Sequence, residues 1–243
     1  MSERQNGILL TMSVPIQTHD AANPEIIYIK IPVGMLQCNC SILGDPKTRE
    51  AIVVDPGDEV ERILDLLGRY KLLVKAIVST HAHIDHVGGL AKLHQYTGAP
   101  VMMHREDLPL YNAMDMQAAF LGAKAPELTD VDHLLKDGDS LQWGGYQASV
   151  IHTPGHTPGS LCLYLPKESG KVTLSQPHLY AGDTLFAGSI GRTDLWGGSL
   201  HQIMDSLTQK VMQLPENTIV YPGHGEITTI GRERATNPFL VGA

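Results

Sequence analysis

Directly after the apolar run Val74-Lys75-Ala76-Ile77-Val78-Ser79, the chain sets His81, His83, Asp85 and His86 within six residues. Imidazole nitrogen and carboxylate oxygen are the donors that hold zinc and divalent iron or manganese. Few other chemistries call for three imidazoles and a carboxylate at the end of a strand. On an extended segment, residues two apart point the same way, so His81 and His83 can grip one ion together. Asp85 and His86 fall where the chain turns into its next element, and can face a second position. The alternative, a histidine-rich surface loop, leaves the order of donor types at a strand end unexplained.

At 243 residues the chain suits one large domain or a two-layer domain with internal duplication, and it can bury a full core. A net charge of −8, from 18 basic and 26 acidic residues, argues against a partner bound through phosphates, so nucleic acid is not expected. Only three cysteines occur, Cys38 and Cys40 on one strand face and Cys162 on another strand. Such sparse usage points to a reduced, cytoplasmic protein, with these thiols as small buried residues rather than a ligand pair. No run reaches the roughly 18 apolar residues of a membrane helix, so no membrane partner is expected. Residues 1–24 lack the features of a secretory signal and read as a loosely held N-terminal arm before a domain over 25–243.

Short β-branched runs predict strands at Ile26–Ile31, Asn39–Leu43, Ala51–Asp55 and Val74–Ser79. A second set follows at Gln147–Thr153, Ser160–Leu165, His178–Ala181 and Thr218–Tyr221. Helices are predicted at Val60–Tyr70, Gly89–Thr97, Arg105–Ala119 and Ser199–Leu214. A faint duplication runs through this order. Each half ends a strand in Asp (Asp55, Asp183), crosses a helix, and ends a neighbouring strand in His (His81, His224). Two such halves packed sheet to sheet with helices outside make an α/β sandwich, its functional loops gathered on one edge.

Three further donors stand at strand ends. His156 lies in the stiff turn Thr153-Pro154-Gly155-His156-Thr157-Pro158-Gly159, Asp183 follows Gly182, and His224 sits between Gly223 and Gly225. Each alone reads equally as a turn or solvated residue. Together with the first window they make seven donors, enough for two metal ions sharing one carboxylate.

The motifs Thr80-His81-Ala82-His83-Ile84-Asp85-His86, Pro154-Gly155-His156-Thr157, Gly182-Asp183-Thr184-Leu185-Phe186 and Pro222-Gly223-His224-Gly225 occur in this order. In them the chain resembles the metallo-β-lactamase-fold hydrolases, and among these the glyoxalase II-like (hydroxyacylglutathione hydrolase-like) thioesterases, from about Ile26 to Leu240. The resemblance implies a four-layer αββα sandwich with the metal site at one edge of the two sheets. It assigns His81, His83 and His156 to a first metal, Asp85, His86 and His224 to a second, and Asp183 to the bridge. Zinc is the first expectation for the pair of divalent ions, with iron or manganese next. A carboxylate at position 183 also differs from the cysteine that true β-lactamases commonly carry there.

The implied reaction is hydrolysis of a small-molecule thioester, such as an S-2-hydroxyacylglutathione, to a hydroxy acid and a thiol. A hydroxide held by the two ions attacks the carbonyl, with Asp85 and Asp183 as catalytic carboxylates. Arg192, nine residues beyond Asp183, takes the place of a basic residue that binds the glutathione carboxylate; an internal pair with Asp194 or Asp183 is the alternative. Asp55 is either a support for a ligand loop or a turn residue before Pro56-Gly57. The segment Asp107–Leu134, with Tyr111, Met114, Met116 and Phe120, either walls the pocket or fills core.

The departures from the family pattern are specific. Asp194 and Glu226 stand where full-length glyoxalase II has tyrosines, and the chain stops at Ala243 without the C-terminal helical domain that adds contacts to glutathione. The short single-domain branch is therefore expected, as monomer or homodimer. A mononuclear iron persulfide dioxygenase on the same fold is the alternative, since those relatives show a run similar to Gly191-Arg192-Thr193-Asp194.

Overall fold

The computed structural model describes residues 25–242, so the expected N-terminal arm over 1–24 lies outside the described residues. Two six-stranded sheets make the centre. The first is β1 (Ile27–Val33), β2 (Cys38–Gly44), β3 (Glu50–Val54), β4 (Leu73–Val78), β5 (Val101–His104) and β6 (His133–Leu135), in that order. The second contains β7 (Ser140–Trp143), β8 (Tyr146–His152), β9 (Leu161–Leu165), β10 (His178–Gly182), β11 (Ile219–Pro222) and β12 (Thr228–Thr229). Its order is β12-β11-β10-β9-β8-β7.

The strands are apolar on both faces because both faces are covered. Alternate residues of one strand enter different cores, as a two-residue period requires. In β3, Ala51 and Val53 face outward with Ile63 and Leu67, whereas Ile52 and Val54 face the other sheet. In β10, Tyr180 lies between the sheets, whereas Leu179 and Ala181 pack outward with Ile203 and Leu207. The outer layers are α1 (Val60–Tyr70), α2 (Ile84–Val87), α3 (Leu90–Thr97), α4 (Leu108–Tyr111) and α5 (Met114–Leu121) on one side. On the other lie α6 (Leu200–Gln209) and α7 (Ile230–Thr236). This is the αββα sandwich.

The duplication is present in the topology. β3 runs parallel to β4 across α1, and β10 runs parallel to β11 across α6. Parallel neighbours end on the same side, so the loops after β3, β4, β10 and β11 meet at one rim.

Several element boundaries differ from the sequence expectation. The single helix expected over Arg105–Ala119 is a 3-10 turn (Arg105–Asp107) followed by α4 and α5. Pro109 has no N–H to give to the preceding turn, so it opens a helix rather than continuing one. The helix expected to reach Leu214 ends at Gln209; Lys210 leaves the helical conformation, and its Nζ donates to the His152 carbonyl at 2.7 Å. Strands β5, β6 and β7 and helix α7 had no counterpart in the sequence reading.

Candidate metal centre

All seven expected donors converge at the shared rim. His81 and His83 lie in the loop after β4, and Asp85 and His86 on the single turn α2. His156 comes from the loop after β8, Asp183 from the end of β10, and His224 from the end of β11. Close backbone approach makes this possible. Gly182 has φ 48°, and a Cβ there would stand 2.4 Å from Thr80 Oγ1. A Cβ on Gly223 would stand 2.3 Å from Asp183 Oδ1. Glycine at these two points lets the strand ends come together.

The donors form two groups. His81 Nε2, His83 Nδ1 and His156 Nε2 make a triangle with sides of 3.1, 2.9 and 3.2 Å. Nitrogens bound tetrahedrally at about 2.0–2.1 Å from one zinc stand about 3.3 Å apart, so the triangle has the size an ion requires. In the second group His86 Nε2 is 3.2 Å from His224 Nε2 and 3.7 Å from Asp85 Oδ2, and His224 Nε2 is 3.2 Å from Asp85 Oδ2. Asp183 reaches both groups. Its Oδ1 is 3.4 Å from His86 Nε2, and its Oδ2 is 3.6 Å from His156 Nε2 and 3.7 Å from His224 Nε2. Asp183 Oδ1 is also a buried oxygen with no hydrogen-bond partner among the described residues, a cost that a cation would remove.

Electrostatics separate the groups. Burial, reinforced by neighbouring imidazoles, holds His81 well below the usual histidine range and His83 at about 3. Burial also lowers His156. These three are neutral, with lone pairs ready to donate. Burial would pull His86 down too, but Cys38 and the Asp183, Asp85 and Asp55 carboxylates raise it well above the usual value. His224 is likewise raised against burial, by its bond to Asp85 and by Asp183. Positive charge is therefore favoured in the second group.

The imidazoles are oriented from behind. His156 Nδ1 is 2.8 Å from the Arg192 carbonyl, which only accepts, so Nδ1 carries the proton and Nε2 the lone pair. His86 Nδ1 donates to Asp55 Oδ2 at 3.0 Å. Asp55 also accepts from the Thr80 N–H and hydroxyl, both at 2.7 Å, so it supports the donor loop as the first of its two expected roles. The Gly223-His224-Gly225 turn is pinned by Asn39, whose Nδ2 donates to the Pro222 and Gly225 carbonyls at 3.0 and 3.1 Å. Cys38 and Cys40 are fully buried core residues; Cys38 Sγ lies 3.4 Å from His86 Nδ1.

Arg192 forms a bidentate pair with Asp194, Nε to Oδ1 at 2.8 Å and Nη2 to Oδ2 at 2.9 Å, the first of its expected internal pairings. It still lines a cavity of about 270 Å³ over the donors, whose apolar wall is Leu36, Phe120, Leu121, Leu195 and Trp196. The segment divides between its two alternatives: Phe120 walls the pocket, whereas Tyr111 and Met114 are core. A wider cleft of about 520 Å³, with Lys92 and Lys124 on its sides, continues from Ile84 and Asp85.

Thr80, Asn39, Asp107 and Gln117, which carry no individual signal in the sequence, hold the donor loops by hydrogen bonds, and Trp196 packs against the His83 ring at 5.9 Å. Outside the two donor groups, at the ends of β5 and β8, His104 and His152 stack at 3.9 Å and 13° beside Glu106. Each ring already spends a nitrogen: His152 Nε2 donates to the Pro158 carbonyl at 2.8 Å, and His104 Nδ1 accepts from the Glu106 N–H at 3.2 Å.

The chain is similar along its length to known proteins. It is 35% identical over 217 residues to "Hydroxyacylglutathione hydrolase GloC" of Haemophilus influenzae, covering 86% of this chain and 96% of that one. Among solved structures, the BLEG-1 B3 metallo-beta-lactamase is 39% identical with a TM-score of 0.80, over 88% of this chain and 100% of that one. TTHA1623 in a di-iron-bound form is 38% identical with a TM-score of 0.74, over 87% and 100%. ETHE1 from Myxococcus xanthus is 27% identical with a TM-score of 0.71, over 89% and 85%. Residues 33–224 match the family described as the metallo-beta-lactamase superfamily, and on that match the chain belongs to it.

Proposed function

We propose that this chain is a dimetal hydrolase that cleaves thioesters, with His81, His83 and His156 holding one divalent ion, Asp85, His86 and His224 the other, and Asp183 both. The observation that carries the reading is the reach of Asp183, whose two oxygens face donors of both groups at 3.4–3.7 Å. The likeness to a hydroxyacylglutathione hydrolase and to a di-iron structure supports it. When bound, such ions lower the pKa of water towards ~7 and polarise a carbonyl oxygen.

The chain's own residues do the rest. Asp55 and the Arg192 carbonyl hold the His86 and His156 protons on the far ring nitrogens, leaving Nε2 of each turned to the site. Against burial, the neighbouring His86 and His224 hold the Asp85 carboxyl below the usual carboxylate range, so Asp85 meets an ion as a carboxylate rather than as a proton donor. Phe120 and Trp196 pack edge to face at 5.5 Å and offer an apolar wall that narrows water access to a bound acyl group. A thiolate leaves readily, with an ordinary thiol pKa of about 8.5, so no strong acid is required at sulfur. The overall change is thioester plus water to carboxylic acid plus thiol. Three buried, unpaired cysteines suit a reducing, cytoplasmic setting, and among the described residues no helix is long and apolar enough to cross a membrane.

The likeness to ETHE1 defines the decisive comparison. Purified protein loaded with zinc, iron or manganese is assayed on hydroxyacyl-glutathione and other thioesters, a β-lactam, and glutathione persulfide with an oxygen electrode. Thiol release from thioesters without oxygen uptake is expected. Oxygen uptake on the persulfide with intact thioesters would transfer the chain to the dioxygenase reading, and β-lactam opening alone would transfer it to the lactamases.

A further inference from the structure

We propose that Asp107 is a positioning residue that sets the distance between His81/His83 and His156, and so governs the affinity of the three-histidine site. The inference rests on those histidines holding an ion, and not on which reaction follows.

Asp107 ends the 3-10 turn after β5 and is fully buried. Its Oδ2 accepts from the Ala82 N–H at 2.7 Å and the Thr157 hydroxyl at 2.8 Å, and its Oδ1 accepts from the Gly159 N–H at 2.6 Å. Ala82 lies between His81 and His83, and Thr157 follows His156. One carboxylate therefore ties together the two loops that carry all three nitrogens of the triangle, although the loops arise from different sheets.

No lysine or arginine pairs with Asp107 among the described residues. A buried carboxylate is costly; burial raises the Asp107 pKa, and the N–H and O–H donors offset part of that cost. Its location is accordingly strict. A Cβ on Gly159 would stand 2.7 Å from the Asp107 N, Cβ and Cγ, so the chain leaves that space to the carboxylate. The other side of Ala82 is held as well, since Gln117 Nε2 donates to the Ala82 carbonyl at 2.9 Å and its Oε1 accepts from the Ile84 N–H at 2.9 Å. With both backbone groups of Ala82 engaged, His81 and His83 have little freedom to separate. Through Asp107, the loop of His156 is set against that fixed segment.

An amide in place of the carboxylate offers one accepting oxygen for three donors. Asp107→Asn should then relax the spacing of the triangle and leave the group at Asp85, His86 and His224 in place. The readout is stepwise chelator competition on zinc-loaded protein and, in parallel, on cobalt(II)-substituted protein, whose absorption spectrum reports which ion leaves first. One of the two ions should become about tenfold or more easier to remove, in keeping with the effect of outer hydrogen-bond partners on metal sites. The other should be held as in the wild type. Thr157→Val removes one donor and keeps the carboxylate, so it should shift the same ion in the same direction by less, and it serves if Asp107→Asn does not fold. Unchanged affinity for both ions in either folded variant would overturn the proposal. Equal weakening of both ions would overturn it too, because that is what general loosening of the fold produces. If His83→Ala and His156→Ala leave the wild-type stoichiometry intact, the ligand assignment itself is wrong, and the role of Asp107 falls with it.

Discussion

His86 Nδ1 donates to Asp55 Oδ2 at 3.0 Å across 31 residues of sequence, and the same carboxylate accepts both polar hydrogens of Thr80. Three bonds on one 2% exposed carboxylate join the end of β3 to the donor loop after β4. Asp55→Ala leaves the Thr80 N–H and hydroxyl without their acceptor, at a cost of about 1–3 kcal/mol in metal-free stability. It should also weaken the ion at His86 by about 10–100-fold, the usual effect of losing a carboxylate behind a ligating imidazole. Urea unfolding and chelator competition measure the two effects separately. Unchanged metal affinity would reduce Asp55 to a turn residue.

Metal content is the next expectation. Protein dialysed against zinc, iron or manganese should approach two ions per chain by elemental analysis, because both donor groups are complete and both are anchored. A reproducible single equivalent at saturating metal would remove the dimetal reading and strengthen the single-iron alternative.

Asp183→Ala should abolish hydrolysis more completely than alanine at His81, His83, His156, His86 or His224. Among the described residues Asp183 is the carboxylate whose two oxygens face donors of both groups, so its loss disturbs two charges where each histidine disturbs one. A variant that kept a tenth of the wild-type rate would not have lost a bridge.

His81, His83, Asp85 and His86 were legible as four metal-donor residues within six after an apolar run, and His156, Asp183 and His224 as donors beside a glycine that marks a turn near a strand end. The parallel pairing of β3 with β4 and of β10 with β11 was legible as a repeated order of Asp, helix and His. Asp107 and Gln117 were not. Their roles lie in backbone groups 25–52 residues away, and an isolated Asp or Gln in a helical pattern reads as a solvated residue. Strands β5, β6 and β7 are only three or four residues long, too short for a two-residue period to register. In α7, only Ile230 and Glu233 are buried, which leaves no apolar face to read. Glu233 there is a buried carboxylate that accepts from the Gly188 N–H at 2.8 Å and from Asn237 Nδ2 at 2.9 Å.

Asp45 provides a pH-dependent test away from the site. It is 3% exposed and accepts from the Lys47, Thr48 and Gly145 N–H groups at 2.6, 3.1 and 2.8 Å, tying the turn after β2 to the β7–β8 hairpin. Burial pushes its pKa up, but these donors outweigh burial and leave it below 3.8. A folded pKa below the unfolded one means the stabilisation is full above the unfolded pKa of about 3.9 and is lost as pH falls through the folded value. Asp45→Asn should therefore cost about 1–3 kcal/mol at pH 7, and the difference from wild type should narrow below about pH 4. A constant difference in urea unfolding from pH 7 to pH 3 would show that the ionised form is not what the donors hold.

Arg192 presents two faces with different consequences. Its guanidinium lines the cavity over the donors while pairing with Asp194, whose carboxyl that bond holds at about 2. Its carbonyl accepts the His156 proton at 2.8 Å. If the guanidinium captures a substrate carboxylate, Arg192→Ala should weaken a carboxylate-bearing thioester by roughly 10–150-fold, the range for a charged hydrogen bond, and a neutral thioester far less. Metal content should not change, because the backbone carbonyl remains. Both arms are needed, since the pair with Asp194 also holds the loop that carries that carbonyl. Equal losses on the two substrates, or a fall in bound metal, would mean that Arg192 serves His156 through the loop and that carboxylate recognition lies elsewhere in the cleft, where Lys124 and Lys92 are the remaining basic side chains.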